Sequence, residues 1–303
     1  PYPPTPKRGN PIMFPTPLRR TLPLLALFTL AQPASAGLEN LRATAEGGSA
    51  EAQYALGVRY FHGERAPEDK PEALRWWRKA AAQGHANAQA DLAGAYARGD
   101  GADKDAAEAA RWYQKAAEQG HPWAQWQLGE AYRSGAGLAA NPRAAVRWFR
   151  AAAEQELAEA QIAMGQSYYV GAGVSTDRRE AMRWFRKAAE QGNAFAQRAI
   201  GEAHFNGIGV ARDMDASTRW YRKAAWGGDA VAQSQTGWAY AKGIGVGADH
   251  REALVWFSVA AQNGDKNAKA LLRQINWRKH LSKSEIGGAR EEAERRLAQI
   301  DSP

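Results

Sequence analysis

Apolar residues return along this chain on a helical beat. Ala52, Leu56 and Tyr60 fall at i, i+4 and i+8 and form one stripe; Ala73, Trp76, Trp77, Ala80 and Ala81 fall at i, i+3, i+4, i+7 and i+8 and form a second. Each stripe predicts an amphipathic helix. The same two stripes come back 36 residues later as Ala88, Leu92 and Tyr96 with Trp112 and Tyr113, and again as Ala124, Leu128 and Tyr132 with Trp148 and Phe149. The leading tryptophan keeps that step without slippage through Trp76, Trp112, Trp148, Trp184, Trp220 and Trp256. A chain built this way is an array whose units pack on their neighbours, so its length counts units and does not measure one core.

Small and polar residues keep the same step. Gly57, Ala93, Gly129, Gly165, Gly201 and Gly237 follow the leucine position. Glycine costs a helix about 1 kcal/mol relative to alanine, so its return predicts that a partner helix comes close there. Gln53, Gln89, Gln125, Gln161, Gln197 and Gln233 hold one position in all six units, and their amides are expected to bond neighbouring backbone. The loops carry paired glycines, as in Gly135-Ala136-Gly137 and Gly171-Ala172-Gly173, and close on Asp69, Asp105, Asn141, Asp177, Asp213 or Asp249. Glu72, Glu108, Glu180 and Glu252 stand three residues later, which predicts N-caps with reciprocal capping boxes. Gly84, Gly120, Gly192, Gly228 and Gly264 read as left-handed helix ends. Glu156 falls in that series and predicts a strained or rebuilt turn.

Written out, the unit is Ala-x-Ala-Gln-x-x-Leu-Gly-x-x-Tyr-x-x-Gly-x-Gly-Val followed by Asp-x-x-x-Ala-x-x-Trp-x-x-Lys-Ala-Ala-x-x-Gly. It closely resembles the Sel-one-like repeat, a relative of the tetratricopeptide repeat, over six units from Gly48 to Gly264 (48–264). Arg65, His204, Thr236 and Ser217 depart from the pattern. The resemblance implies an all-α fold, a right-handed superhelical solenoid of antiparallel helix pairs whose first helices line a concave groove, used as a protein-interaction scaffold.

The flanks differ from the repeat. Leu38 to Ala45, within an N-terminal cap over 37–47, reads as a degraded second helix. Ala268, Leu271, Leu272 and Ile275 predict a further helix, and Ser282-Lys283-Ser284-Glu285 the cap of a last one, within 265–303. Arg290, Glu291, Glu292, Glu294, Arg295 and Arg296 suit a polar outer surface there, while Gly287-Gly288 argue against a continuous helix. Residues 1–36 hold no acid and combine Arg19-Arg20, the apolar run Leu22 to Ala31 and Ala34-Ser35-Ala36, the pattern of an export signal cleaved after Ala36. Translation is expected to start at Met13. This reading implies a periplasmic or secreted protein, and the apolar run is too short for a span of roughly 20 residues.

Export also removes Lys7, Arg8, Arg19 and Arg20, lowering the net charge from +8 to +4. That is too weak a balance to argue for nucleic acid. The chain has no cysteine, hence no disulfide and no thiolate metal site. His85 and His121 occupy one repeat position, His204 replaces a tyrosine as a packed ring, and His62, His250 and His280 lack metal spacing. The Asp-x-x-Glu pairs serve better as caps than as an acid and base. The basic residues Arg183, Arg186 and Lys187 read as a solvated face opposite the aromatic stripe, supported by Glu180 and Glu190 at helical spacing. No catalytic residue, metal or cofactor is expected.

Function should then lie where the units differ. On the first helix one row is offset from the core stripe and holds Trp123, Trp126, Glu130 and Arg133, then Ile162, Gln166 and Tyr169, then Phe195, Arg198, Glu202 and Phe205, then Val231, Ser234 and Trp238. Exposed aromatic and arginine side chains are the usual anchors of a recognition surface. Trp123, Trp126, Glu130, Arg133, Tyr169, Phe195, Arg198 and Trp238 are the candidate partner-binding residues. Three readings stand: a non-catalytic adaptor of the bacterial envelope that takes a protein in the groove, a cell-wall glycan binder using the same rings, and a β-lactamase-like hydrolase. The last is disfavoured because such relatives carry paired cysteines in each repeat.

Overall fold

The computed structural model of the chain describes residues 34–302, with side chains from 37; the predicted export signal and start lie almost wholly outside these residues. The chain runs through α1 (Ala34–Glu46), α2 (Ala50–His62), α3 (Lys70–Ala82), α4 (Ala86–Arg98), α5 (Ala106–Glu118), α6 (Pro122–Ser134), α7 (Pro142–Glu154) and α8 (Ala158–Val170). It continues through α9 (Arg178–Glu190), α10 (Ala194–Asn206), α11 (Met214–Trp226), α12 (Ala230–Lys242), α13 (His250–Gln262), α14 (Lys266–Gln274), a 3₁₀ turn at Trp277–Lys279 and α15 (Lys283–Ile300). There is no strand among the described residues. Every helix from α2 to α13 is 13 residues long, as a fixed 36-residue unit requires.

The small residue of the first helix meets a ring of its partner. A Cβ on Gly129 would lie 2.5 Å from the Phe149 ring, and one on Gly237 3.0 Å from Phe257. The ring that fills this place is the second of each aromatic pair, and Trp77, Tyr113, Phe149, Phe185, Tyr221 and Phe257 are all buried. The leading tryptophan is less uniform: Trp76, Trp184 and Trp256 are buried, whereas Trp112, Trp148 and Trp220 are half-buried. It packs back toward the preceding unit, Trp184 against Ala152 and Ala153 of that unit and Met164 of its own. In four units a lysine three residues on covers its outer face, with Lys187 Nζ 4.2 Å from the Trp184 ring centre and Lys115 Nζ 4.0 Å from that of Trp112. The basic face is therefore not wholly opposite the aromatic stripe. The lysine stems lie along it, which hides apolar surface and leaves the ammonium wet.

The repeated glutamine is buried and joins three segments. Gln89 donates to the Ala81 carbonyl at 3.0 Å and accepts from Gln119 at 2.7 Å; Gln161 does the same with Ala153 and Gln191. The fifth unit lacks one arm, because Gly227 stands where its neighbours have Gln155 or Gln191. Gln197 Oε1 is consequently buried without a partner.

The loop aspartates cap their helices as expected, Asp69 accepting from the Glu72 N–H at 2.9 Å. The reciprocal arm of the predicted capping box is absent in the repeats. The Asp69 N–H already donates to the Tyr60 carbonyl, Asp105 to Tyr96 and Asp177 to Tyr168, so the glutamates turn outward to Arg75, Arg111 and Arg183. Among the described residues the one complete box is Ser282 with Glu285 at the start of α15. Glu156 takes up the same turn as the glycines, with φ at 64°.

The C-terminal end differs from the expectation in two ways. Helix α15 runs unbroken through Gly287 and Gly288, because its flanking residues hold it against α13. Arg296 is not on the outer surface: it is buried, with its guanidinium 4.7 Å from the Trp256 ring centre and 5.2 Å from Trp226. Glu252 pairs with it at 2.5 Å. The glutamate that the capping pattern assigned to a helix start is thus the counter-ion of a buried arginine, and α15 seals the last apolar face.

Candidate functional site

The offset row of the first helices maps onto α6, α8, α10 and α12. On α6, Trp123 and Trp126 are half-buried and tilted against each other, ring centres 4.6 Å apart. Trp126 leans on the cluster formed with the next unit, beside Leu157. One turn on, Arg133 and Glu130 pair at 2.5 Å, and this hydrogen bond lifts the Arg133 pKa above its ordinary value. Two rings and a paired charge therefore sit at consecutive turns of one helix.

On α8, Tyr169 is half-buried, with the Arg178 guanidinium 5.8 Å from its ring centre. Ile162 packs into the cluster shared with the following unit. Helices α10 and α12 form a second aromatic group. Phe195 is 38% exposed and lies edge-on to Phe185, with Arg198 stacked 5.1 Å over it. Phe205 meets Trp238 at 6.1 Å, joining the two helices. Arg198 is held rather than offered: it donates to Asp229 at 2.9 Å and Glu202 at 2.6 Å. Burial pulls its guanidinium down, but these two carboxylates more than compensate and raise its pKa. As a recognition residue it presents a plane backed by Phe195, with its Nε and one Nη1 donor already committed.

A cluster between α2 and α4 carried no sequence signal as a site. The Tyr54 hydroxyl donates to Asp91 at 2.9 Å, and the Tyr54 ring stacks on His85 at 4.7 Å. His85 Nδ1 accepts from the Ala88 N–H as a helix cap, so Nε2 carries the proton and faces Glu51 at 2.9 Å. Burial pushes the Asp91 carboxyl up, against the Tyr54 bond and the charge of Arg98, and it pushes the Tyr54 hydroxyl up as well. These residues are 31 to 37 apart, and only knowledge of how successive units abut would have brought them together. His121 caps α6 as His85 caps α4, and His204 packs with Nδ1 3.2 Å from the Ala211 carbonyl.

Among the described residues no group of three or more His, Asp or Glu is placed to hold a metal, and no helix is long and apolar enough to cross a membrane. What the geometry presents is a stack of near-identical helix pairs with a row of unlike side chains along its first helices, the form of an α-solenoid scaffold. The profile of the Sel1 repeat matches six times, at residues 50–85, 86–121, 124–157, 158–193, 194–229 and 230–265. The chain belongs to the Sel1 repeat family, whose members generally serve as protein-interaction scaffolds and are typically non-catalytic. Pro122 and Trp123 fall in the only gap between successive matches.

Among solved structures the chain is similar to a protective antigen of uropathogenic Escherichia coli with an SLR fold, at 39% identity and a TM-score of 0.79, covering 86% of this chain and 56% of that one. It is also similar to a Sel1 repeat protein from Oxalobacter formigenes, at 31% identity and a TM-score of 0.67, covering 83% and 97%. A 57-residue stretch is 42% identical to the secretory immunoglobulin A-binding protein EsiB of Escherichia coli O6:H1, covering 19% of this chain and 12% of that protein. The chain thus spans a little over half of the first relative and a small part of EsiB.

Proposed function

We propose that the chain is a non-catalytic adaptor or regulator of the bacterial envelope, which holds a protein partner along the face of its first helices. The observation that carries this reading is the Trp123–Trp126 pair. Two large rings lie half-exposed on α6, Trp123 in the gap between successive repeat matches and Trp126 one turn inside the next. Half-buried indoles next to a paired arginine offer contact area at low entropic cost, as binding anchors do. Phe195 and the Phe205–Trp238 contact extend the surface over two further units. The export signal read in residues 1–36 supports the envelope assignment, and a relative named for binding immunoglobulin A supports a protein ligand.

The test is a photo-crosslinking amino acid at position 127, beside the two rings, in intact cells. We expect one dominant protein adduct that disappears when Trp123 and Trp126 are both replaced by alanine, with helical content unchanged. The same adduct in the double variant would refute the site.

A further inference from the structure

The C-terminal end holds a cleft that the adaptor role does not use. It has a volume of about 590 Å³ and lies between the end of α14 with the segment that follows it and the first turns of α15. Arg273 and Arg278 come from the former, Lys283 and Arg290 from the latter, and no carboxylate lines it. Lys283, Ile286, Gly287 and Arg290 fall at i, i+3, i+4 and i+7, so one face of α15 forms a wall. Ile275, Ile286 and the buried Trp277 supply apolar surface beside the charges.

The four cations are exposed and unpaired, as Arg143 and Arg186 are elsewhere on the surface, but here four of them gather at one cleft. Elsewhere on α15, Arg295 is bound to Glu292 and Arg296 to Glu252. Among the described residues none of Arg273, Arg278, Lys283 and Arg290 makes an ion pair or a side-chain hydrogen bond, and the Gln274 and Asn276 amides, also in the lining, make none either. The nearest carboxylate at the helix start, Glu285, is occupied by the Ser282 N–H and hydroxyl, each at 2.7 Å. Glu294, a turn beyond Arg290, lies outside the lining.

Like charges gathered around a concavity repel, and an anion seated among them removes that cost. Three of the four are arginines, whose planar forks match phosphoryl oxygens two at a time. We propose that this cleft binds a phosphate-bearing anion of two or more charges, either a soluble phosphate compound or the headgroup of an anionic phospholipid. The volume suits one small molecule or headgroup, and the site is independent of the partner surface on α6.

Isothermal titration of the full chain with pyrophosphate tests it. One saturable site is expected, weakening as salt is raised. Replacing Arg273 and Arg290 together by alanine should lower the affinity by about tenfold or more, since charge-assisted bonds are lost. Arg295→Ala, on the same helix but already paired, should leave it unchanged, and all variants should keep the wild-type melting curve. Absence of saturable binding, equal binding by the double variant, or binding of citrate with none of pyrophosphate would overturn the assignment. Sedimentation with cardiolipin-containing vesicles, whose headgroup carries two phosphates, separates the two sources. Pelleting that the double variant abolishes assigns a lipid headgroup, and pyrophosphate binding without pelleting assigns a soluble phosphate.

Discussion

Tryptophan stands both in the second-helix stripe and in the outer row of the first helices. Trp184 on α9 is 5% exposed and walled in by alanines of the preceding pair, with Lys187 laid over it. Trp123 on α6 is half-buried and tilts against Trp126. The same side chain is packing material at Trp184 and a half-exposed surface at Trp123. Recurrence at a fixed step marks the residues that hold neighbours together, and departure from the step marks those released from that duty.

The contrast breaks most visibly under truncation. Trp184→Ala should cost roughly 3–5 kcal/mol in denaturant unfolding, whereas Trp123→Ala should cost less than about 1 kcal/mol. Equal losses would erase the distinction. A smaller effect of opposite sign is expected at Glu156, whose left-handed φ of 64° is imposed by a turn built for glycine. Glu156→Gly should stabilise the chain by about 1 kcal/mol, the left-handed strain relieved less the added backbone freedom, and an unchanged or lower melting temperature would show the turn to be unstrained.

The smallest effect concerns Asp91. Its folded pKa lies above the usual carboxylate value because of burial. A raised acid favours the folded state most at low pH and loses that contribution as pH rises through the folded value. Asp91→Asn should therefore raise the melting temperature at pH 7, with the gap between variant and wild type closing as pH falls toward 4. An offset independent of pH would place its cause elsewhere than in the carboxylate charge.

Much of this architecture was legible because each repeated residue type answers to local physics. Spacing placed Leu56 and Trp76 on inward faces, and Asp69 and Gly84 at helix ends. The failures share one cause. Glu72 was read against its own helix start, but the N–H it would have accepted was already committed to Tyr60. Arg296 was read as outer surface, but Glu252, 44 residues away, and two tryptophans draw it inside. The Tyr54–Asp91 bond likewise crosses between units. Periodicity describes one helix well and is silent on how a side chain meets the next unit, which is also why the candidate row was found as a row and its pairings were not.

The glutamine rungs bear on how such a chain can change length. Each rung spans only adjacent segments, so a whole unit could be gained or lost between two of them with every buried amide still matched. Gln125 would find beyond an added unit the same carbonyl and the same donor that it finds now. Gly227 is the exception, since the rung there has no donor and Gln197 Oε1 is already orphaned. A graft at that joint would complete a bond that the native chain lacks. The array is modular everywhere by its hydrogen bonding, and at its fifth unit it carries a site where a borrowed module would fit better than its own.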